Sequence, residues 1–145
     1  MTFLLDTNVV SELRKAKSGK AHPGFTAWAA EVSVGSLYVS AITLLELEMG
    51  VLQIERRDAA QGRIMRTWFD AHVLPSFTGR VLAVDAAVAL RCARLQVPDR
   101  LSERDAMIAA TALVHGMTVV TRNLADFQTS GATVFNPWTH AQRAP

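Results

Sequence analysis

Four carboxylates stand where strand-like runs give way to helix-like ones. Asp6 follows the apolar run Phe3-Leu4-Leu5. Glu46 falls in the first turn of a helix expected after the strand at 36–40. Asp105 falls in the first turn of a helix opened by Ser102, and Asp126 comes just after the strand at 118–121. In a parallel α/β sheet such junctions open on one edge, at the carboxyl ends of the strands, where ligands bind. Acids far apart in sequence would therefore meet. Each also has a plain structural reading: Asp6 as a helix N-cap, Thr43-Leu-Leu-Glu46 as a capping box, Ser102-Glu-Arg-Asp105 as a near copy of one. Two features point past capping. Glu46 lies in an apolar setting at 42–50, with Glu48 the more natural solvent-facing acid, and Asp105 shares a helix face with Ile108, Ala109 and Ala112 that should pack on the sheet. A carboxylate buried there needs hydrogen bonds or a cation.

The only basic residues at these junctions are Arg104 and Arg122, so a divalent cation is the natural neutraliser. Oxygen-only ligands suit Mg²⁺ or Mn²⁺ rather than Zn²⁺. The four histidines (22, 72, 115 and 140) lack zinc-site spacing, and Cys92 stands alone in a helical pattern as a buried structural thiol. The candidate metal ligands are Asp6, Glu46 and Asp105, with Asp126 as a weaker fourth. A metal so held acidifies water and stabilises charge on a phosphoryl oxygen, which makes phosphodiester hydrolysis the expected chemistry. Thr7, Asn8, Ser40, Thr43, Thr121 and Asn123 lie beside the acids and could orient them or an attacking water; Thr121 and Asn123 rank first. Their plain reading is as turn and cap residues.

The elements that must position these groups follow from periodicity. Strands are expected at 3–5, 36–40, 80–84, 118–121 and 133–135, and helices at 7–15, 25–32, 43–54, 57–72, 85–97 and 102–115. In the fourth helix Ala60, Ile64 and Trp68 form one face, with Met65 and Phe69 beside them and Arg63 and Arg66 away from it. Gly116 stops the last helix. Strands alternating with helices predict an α/β fold with a parallel sheet, one domain over 1–138 and a polar tail over 139–145. No Gly-rich turn follows a strand, so a dinucleotide fold is not indicated. Asp6 after an N-terminal strand also suggests an aspartyl phosphotransferase, but Asn8 stands where a second Asp would be needed.

Composition bounds the rest. The chain has 145 residues, half of them hydrophobic, and a formal net charge of only +2, which neither requires nor opposes a nucleic-acid partner. Its basic residues are mostly arginine, with lysine at 15, 17 and 20 alone. The apolar start ends at Asp6 without a basic lead, and no stretch is long and apolar enough to cross a membrane, so a cytoplasmic protein is expected.

Four motifs in order resemble the PIN-domain family: Leu4-Leu-Asp-Thr-Asn8, Ser40-Ala-Ile-Thr-Leu-Leu-Glu-Leu-Glu-Met-Gly50, Arg104-Asp-Ala-Met-Ile-Ala-Ala-Thr-Ala112 and Val120-Thr-Arg-Asn-Leu-Ala-Asp-Phe127. The ending Val134-Phe-Asn-Pro-Trp138 resembles the FitB branch of VapC-like toxins. The resemblance implies a Rossmann-like α/β/α sandwich, a homodimer, and an acidic pocket binding Mg²⁺ or Mn²⁺ that cleaves RNA to leave a 3′-hydroxyl and a 5′-phosphate. It maps the core acids onto Asp6, Glu46 and Asp105 and places Thr121 and Asn123 in the catalytic set. The family's fourth acid falls where this chain has Asn123, a departure that removes a charge, and Asp126 is near enough to replace it. The implied partner is an antitoxin, received on the apolar helices at 44–52 and 64–69, with DNA bound only through that antitoxin. The competing reading is a PIN-like module that binds RNA or a partner without cutting.

Overall fold

Strand β1 (Phe3–Leu5) is apolar at every position because helices cover the sheet on both faces. Leu5 faces one core with Val39 and Val120, and Leu4 faces the other with Val119, as the two-residue strand period requires. The computed structural model describes residues 1–140. Its sheet adds β2 (Leu37–Ser40), β3 (Val81–Leu82), β4 (Thr118–Val120) and β5 (Val134–Phe135) in the order β3-β2-β1-β4-β5, every neighbour parallel. The expected α/β/α architecture with a central parallel sheet is what forms. β3 is shorter than expected, two residues rather than five.

On the first face lie α1 (Thr7–Lys17), α2 (Pro23–Glu31) and α3 (Ala41–Arg57), which bury Val9, Val10, Phe25, Trp28, Leu47 and Val51. The other face carries α6 (Ala86–Leu95), α7 (Glu103–His115) and α8 (Leu124–Gln128). Ile108, Ala109 and Ala112 of α7 pack there on Leu4 and Val119, as the face shared with Asp105 predicts. Gly116, at φ 66°, ends α7 in the left-handed region. The short helix α8 was not expected from the sequence; its five residues are too few to show a period.

Helix α3 continues into α4 (Ala59–Trp68), a π-turn (Phe69–Val73) and the single turn α5 (Leu74–Ser76). The expected face of α4 is corrected here. Ala60 and Ile64 are exposed, and of the expected face only Trp68 reaches the core, joined there by its expected neighbours Met65 and Phe69. The side toward α3 is settled by Gly62 and Arg66. Arg66 joins Glu48 at 2.7 Å, Glu55 at 3.1 Å and Asp70 at 3.3 Å. Glu48 therefore serves α4 rather than simply facing solvent, and Arg66 holds its carboxyl below the usual range. At the chain end, Pro137–Thr139 form a 3₁₀ turn and His140 lies 3.1 Å from Glu31; the rest of the expected polar tail, 141–145, lies outside the described residues.

Gly62 lets α3 and α4 meet closely, because a Cβ there would stand 2.5 Å from Glu55 Cα. Gly62→Ala should therefore cost about 1–3 kcal/mol of stability, the usual penalty of overpacking. Gly50, also helical, has nothing within 4 Å of its own Cβ position, and Gly50→Ala should gain about 0.5–1 kcal/mol. Denaturant melts of the two variants measure both; equal effects would remove close packing as the role of Gly62.

Candidate active site

Asp6 ends β1 and is nearly buried, at 5% exposure. As expected it caps α1, its Oδ1 accepting from the Thr7 backbone N–H at 2.8 Å. Its Oδ2 accepts from the Thr121 hydroxyl at 2.8 Å and the Asn8 amide at 3.1 Å. The Thr121 hydroxyl oxygen itself accepts from the Asn123 N–H at 3.0 Å, which leaves its own proton for Asp6. Asn8 in turn accepts from the Arg122 N–H at 3.3 Å. The chain after β4 is thus tied to the chain after β1 through a single carboxylate. Burial pushes the Asp6 carboxyl above its ordinary value, and the negative charge of Glu46 adds to this, against the lowering by its donors.

Glu46 reaches the same edge by another route. Ser40 caps α3, its hydroxyl accepting from the Ile42 N–H, so the helix starts earlier than expected and Glu46 sits in its second turn. The expected capping box from Thr43 does not form. Thr43 is fully buried, and its hydroxyl donates to the Leu5 carbonyl at 3.4 Å. Glu46 is held by the Thr7 hydroxyl at 2.7 Å and by Arg104 at 3.3 Å.

Asp105 lies in the first turn of α7. Ser102 makes no side-chain cap bond there, so the second expected capping box is also absent. Desolvation raises the Asp105 carboxyl most, followed by the charges of Asp6, Asp126 and Glu46; Arg104 opposes them, and the result is about 6. All four acids thus share one field. They do not converge on one point, and among the described residues no three His, Cys, Asp or Glu side chains are close enough to hold one ion. Asp126 lies on α8 rather than in a loop. Asn123 is exposed and contributes through its backbone, its side chain bonding nothing among the described residues.

Of the polar neighbours expected to orient the acids, Thr7, Asn8 and Thr121 do so, whereas Ser40 and Thr43 serve the backbone. The role of Arg104 depends on a pairing across 58 positions that no local pattern could reveal. Cys92 is half-buried, not fully so; burial pushes its thiol up, which leaves it unactivated.

The PIN domain family model matches residues 3–128. The chain belongs to the PIN-domain family. It is similar to a VapC ribonuclease of Sinorhizobium fredii, 37% identical with 94% of this chain and 97% of the relative covered. It is also similar to the toxin FitB of Neisseria gonorrhoeae, at 33% identity and 94% and 98% coverage. Among solved structures, one of FitAB bound to a DNA fragment superposes with a TM-score of 0.86, at 31% identity and 99% and 100% coverage. The resemblance to the PIN family and to FitB noted in the sequence is thereby borne out.

Asp105 binds its proton more tightly in the folded protein than in the unfolded chain. Between its ordinary value of 3.8 and about 6 the folded state therefore carries more protons, and stability falls as pH rises through that window. Thermal melts in EDTA should show this fall, with that component lost in Asp105→Asn. An unchanged slope in the variant would assign the effect to other groups.

Proposed function

We propose that this chain is the toxin of a toxin–antitoxin pair, an endoribonuclease that hydrolyses RNA phosphodiester bonds at the Asp6–Glu46–Asp105 cluster. The observation that carries the reading is the crowding of four carboxylates at the carboxyl edge of a PIN-domain sheet, with Arg104 the only cation among the described residues found to offset it at Asp105. A cluster of oxygen donors short of positive charge fits a hard divalent ion by donor type, Mg²⁺ first and Mn²⁺ second. Asp6, Glu46 and Asp105 would hold it only after drawing together, because in this structure they stand too far apart to share one ion, with Asp126 the further acid on α8. Bound there, the ion supplies Lewis acidity toward a phosphoryl oxygen and makes water more acidic.

The chain's own residues supply the orientation. Thr121 and Asn8 fix the Asp6 carboxylate, and Thr7 fixes Glu46, so neither has to be ordered when RNA arrives. Without an ion the Asp105 carboxyl is pushed up to about 6 by desolvation and its acidic neighbours, so ion binding there should strengthen as pH rises through that value. Asn123 sets the direction of the Thr121 hydroxyl.

The partners follow from the relatives. The FitAB structure holds FitB with FitA on DNA, and this chain's own counterpart to FitA would carry any DNA contact. Two surfaces support docking. Leu45, Met49, Leu52 and Ile64 stand exposed on α3 and α4, the helices expected to receive the antitoxin. A groove of about 660 Å³ between α1, α2 and the π-turn is lined by Val10, Leu13, Ala29 and Trp68, with Arg14 and Lys17 beside them. Either would accept an apolar helix, the groove preferring one with acidic flanks. A homodimer would cover further apolar surface, and no helix among the described residues is long and apolar enough to cross a membrane. Both fit a protein at work in the cytoplasm.

The test is cleavage of a fluorogenic RNA by purified protein with Mg²⁺, Mn²⁺ or EDTA. Asp6→Asn and Asp105→Asn should each lower the rate at least about 100-fold, and Thr121→Val about 10- to 100-fold. Metal-dependent RNA cleavage that survives Asp6→Asn would overturn the site; RNA bound tightly but never cut would favour the non-cutting module.

A further inference from the structure

The two arginines at the site are committed differently. Arg104 spends its charge on Glu46. Arg122 is exposed, forms no ion pair among the described residues, and lies with its guanidinium 5.4 Å from the Trp138 ring centroid. Four carboxylates gather at this edge, and a flexible cation beside them would be drawn to one of them. Arg122 instead rests over an aromatic face, which leaves its charge uncancelled.

The platform beneath it is packed in place. The Trp138 backbone N–H donates to Asn136 Oδ1 at 2.9 Å, and the Trp138 ring packs on Phe25 with centroids 4.9 Å apart. Gly24 of α2 approaches so closely that a Cβ there would stand 2.8 Å from the Trp138 carbonyl oxygen. The backbone of Arg122 is anchored too, its N–H on Asn8, the residue whose amide holds Asp6. Trp138 follows β5 and Arg122 follows β4, so the stacked pair sits on the same sheet edge as Asp6, displaced toward β5.

We propose that Arg122, stacked on Trp138, is a substrate-positioning residue that grips single-stranded RNA beside the acidic cluster, pairing with a backbone phosphate and offering its plane to the neighbouring base. This rests on the ribonuclease reading and adds the direction of the RNA, from Asp6 across β4 toward β5. A polyanion approaching four carboxylates needs a cation at the rim that the acids have not already taken, and among the two arginines at the junctions only Arg122 is in that state.

RNA binding separates the two ideas. Full-length Asp6→Asn protein would be titrated with a fluorescein-labelled single-stranded RNA by anisotropy over a range of salt. The comparison adds Arg122→Gln, Arg122→Lys and Trp138→Leu in that background, with Arg63→Gln, exposed on α4, as the control. Arg122→Gln should weaken binding about tenfold and lower the salt slope by about one, with the melting temperature kept. Arg122→Lys should keep the slope while losing part of the affinity, because charge remains without a planar guanidinium. Trp138→Leu should lose affinity as well; should it fail to fold, the glutamine and lysine pair still decides the matter. Affinity and slope unchanged in Arg122→Gln would overturn the proposal while leaving the nuclease standing. No RNA binding by the Asp6→Asn parent would overturn both.

Discussion

A carboxylate taken out of water costs several kcal/mol unless donors replace the lost hydration. At Asp6 those donors are the Thr7 N–H, the Asn8 amide and the Thr121 hydroxyl. The cost is thus met by the segment after β4 as much as by the segment after β1, and the two strands must lie side by side for it to be met. Their pairing, with Phe3 opposite Thr118 and Leu5 opposite Val120, delivers Thr121 to Asp6 without any further adjustment. The same register carries Arg122 and Asn123 to the rim. Sheet order, helix start and site geometry all converge on this one buried group.

The acids around it are not equally placed. Glu46 is partly neutralised by Arg104, but Asp105 has three negative neighbours and titrates far above an ordinary aspartate. Such an arrangement is poor design for stability alone and good design for attracting a cation. The proposed fourth ligand, Asp126, reaches that field from α8, a turn of helix that Asn123 precedes; the charge absent at one position is present three residues later.

Away from the site, α3 and α4 form a hairpin pinned by Arg66 to three acids and by the close approach at Gly62. That pinning leaves Leu45, Leu52 and Ile64 outward without collapsing them into the core. Surfaces proposed for partners and the edge proposed for RNA are therefore built on different elements, one on helix faces and the other on the loops that end the strands.

Local sequence determined the element types, the parallel α/β class and the identity of the acids, because strand and helix periods and strand-end carboxylates are short-range signals. The cap at Asp6 and the stop at Gly116 were legible for the same reason. The capping boxes at Thr43 and Ser102 failed because tertiary placement overrode them: Thr43 was drawn to the Leu5 carbonyl, and Ser40, the last residue of β2, took the cap of α3. The face of α4 was misread because Arg66 and Gly62 answer to α3, not to the helix's own period. Only the folded chain could pair Thr7 with Glu46 across 39 positions, Glu46 with Arg104 across 58, and Thr121 with Asp6 across 115. It also decided which arginine was left uncommitted, since a charge is free or spent according to what the fold sets beside it.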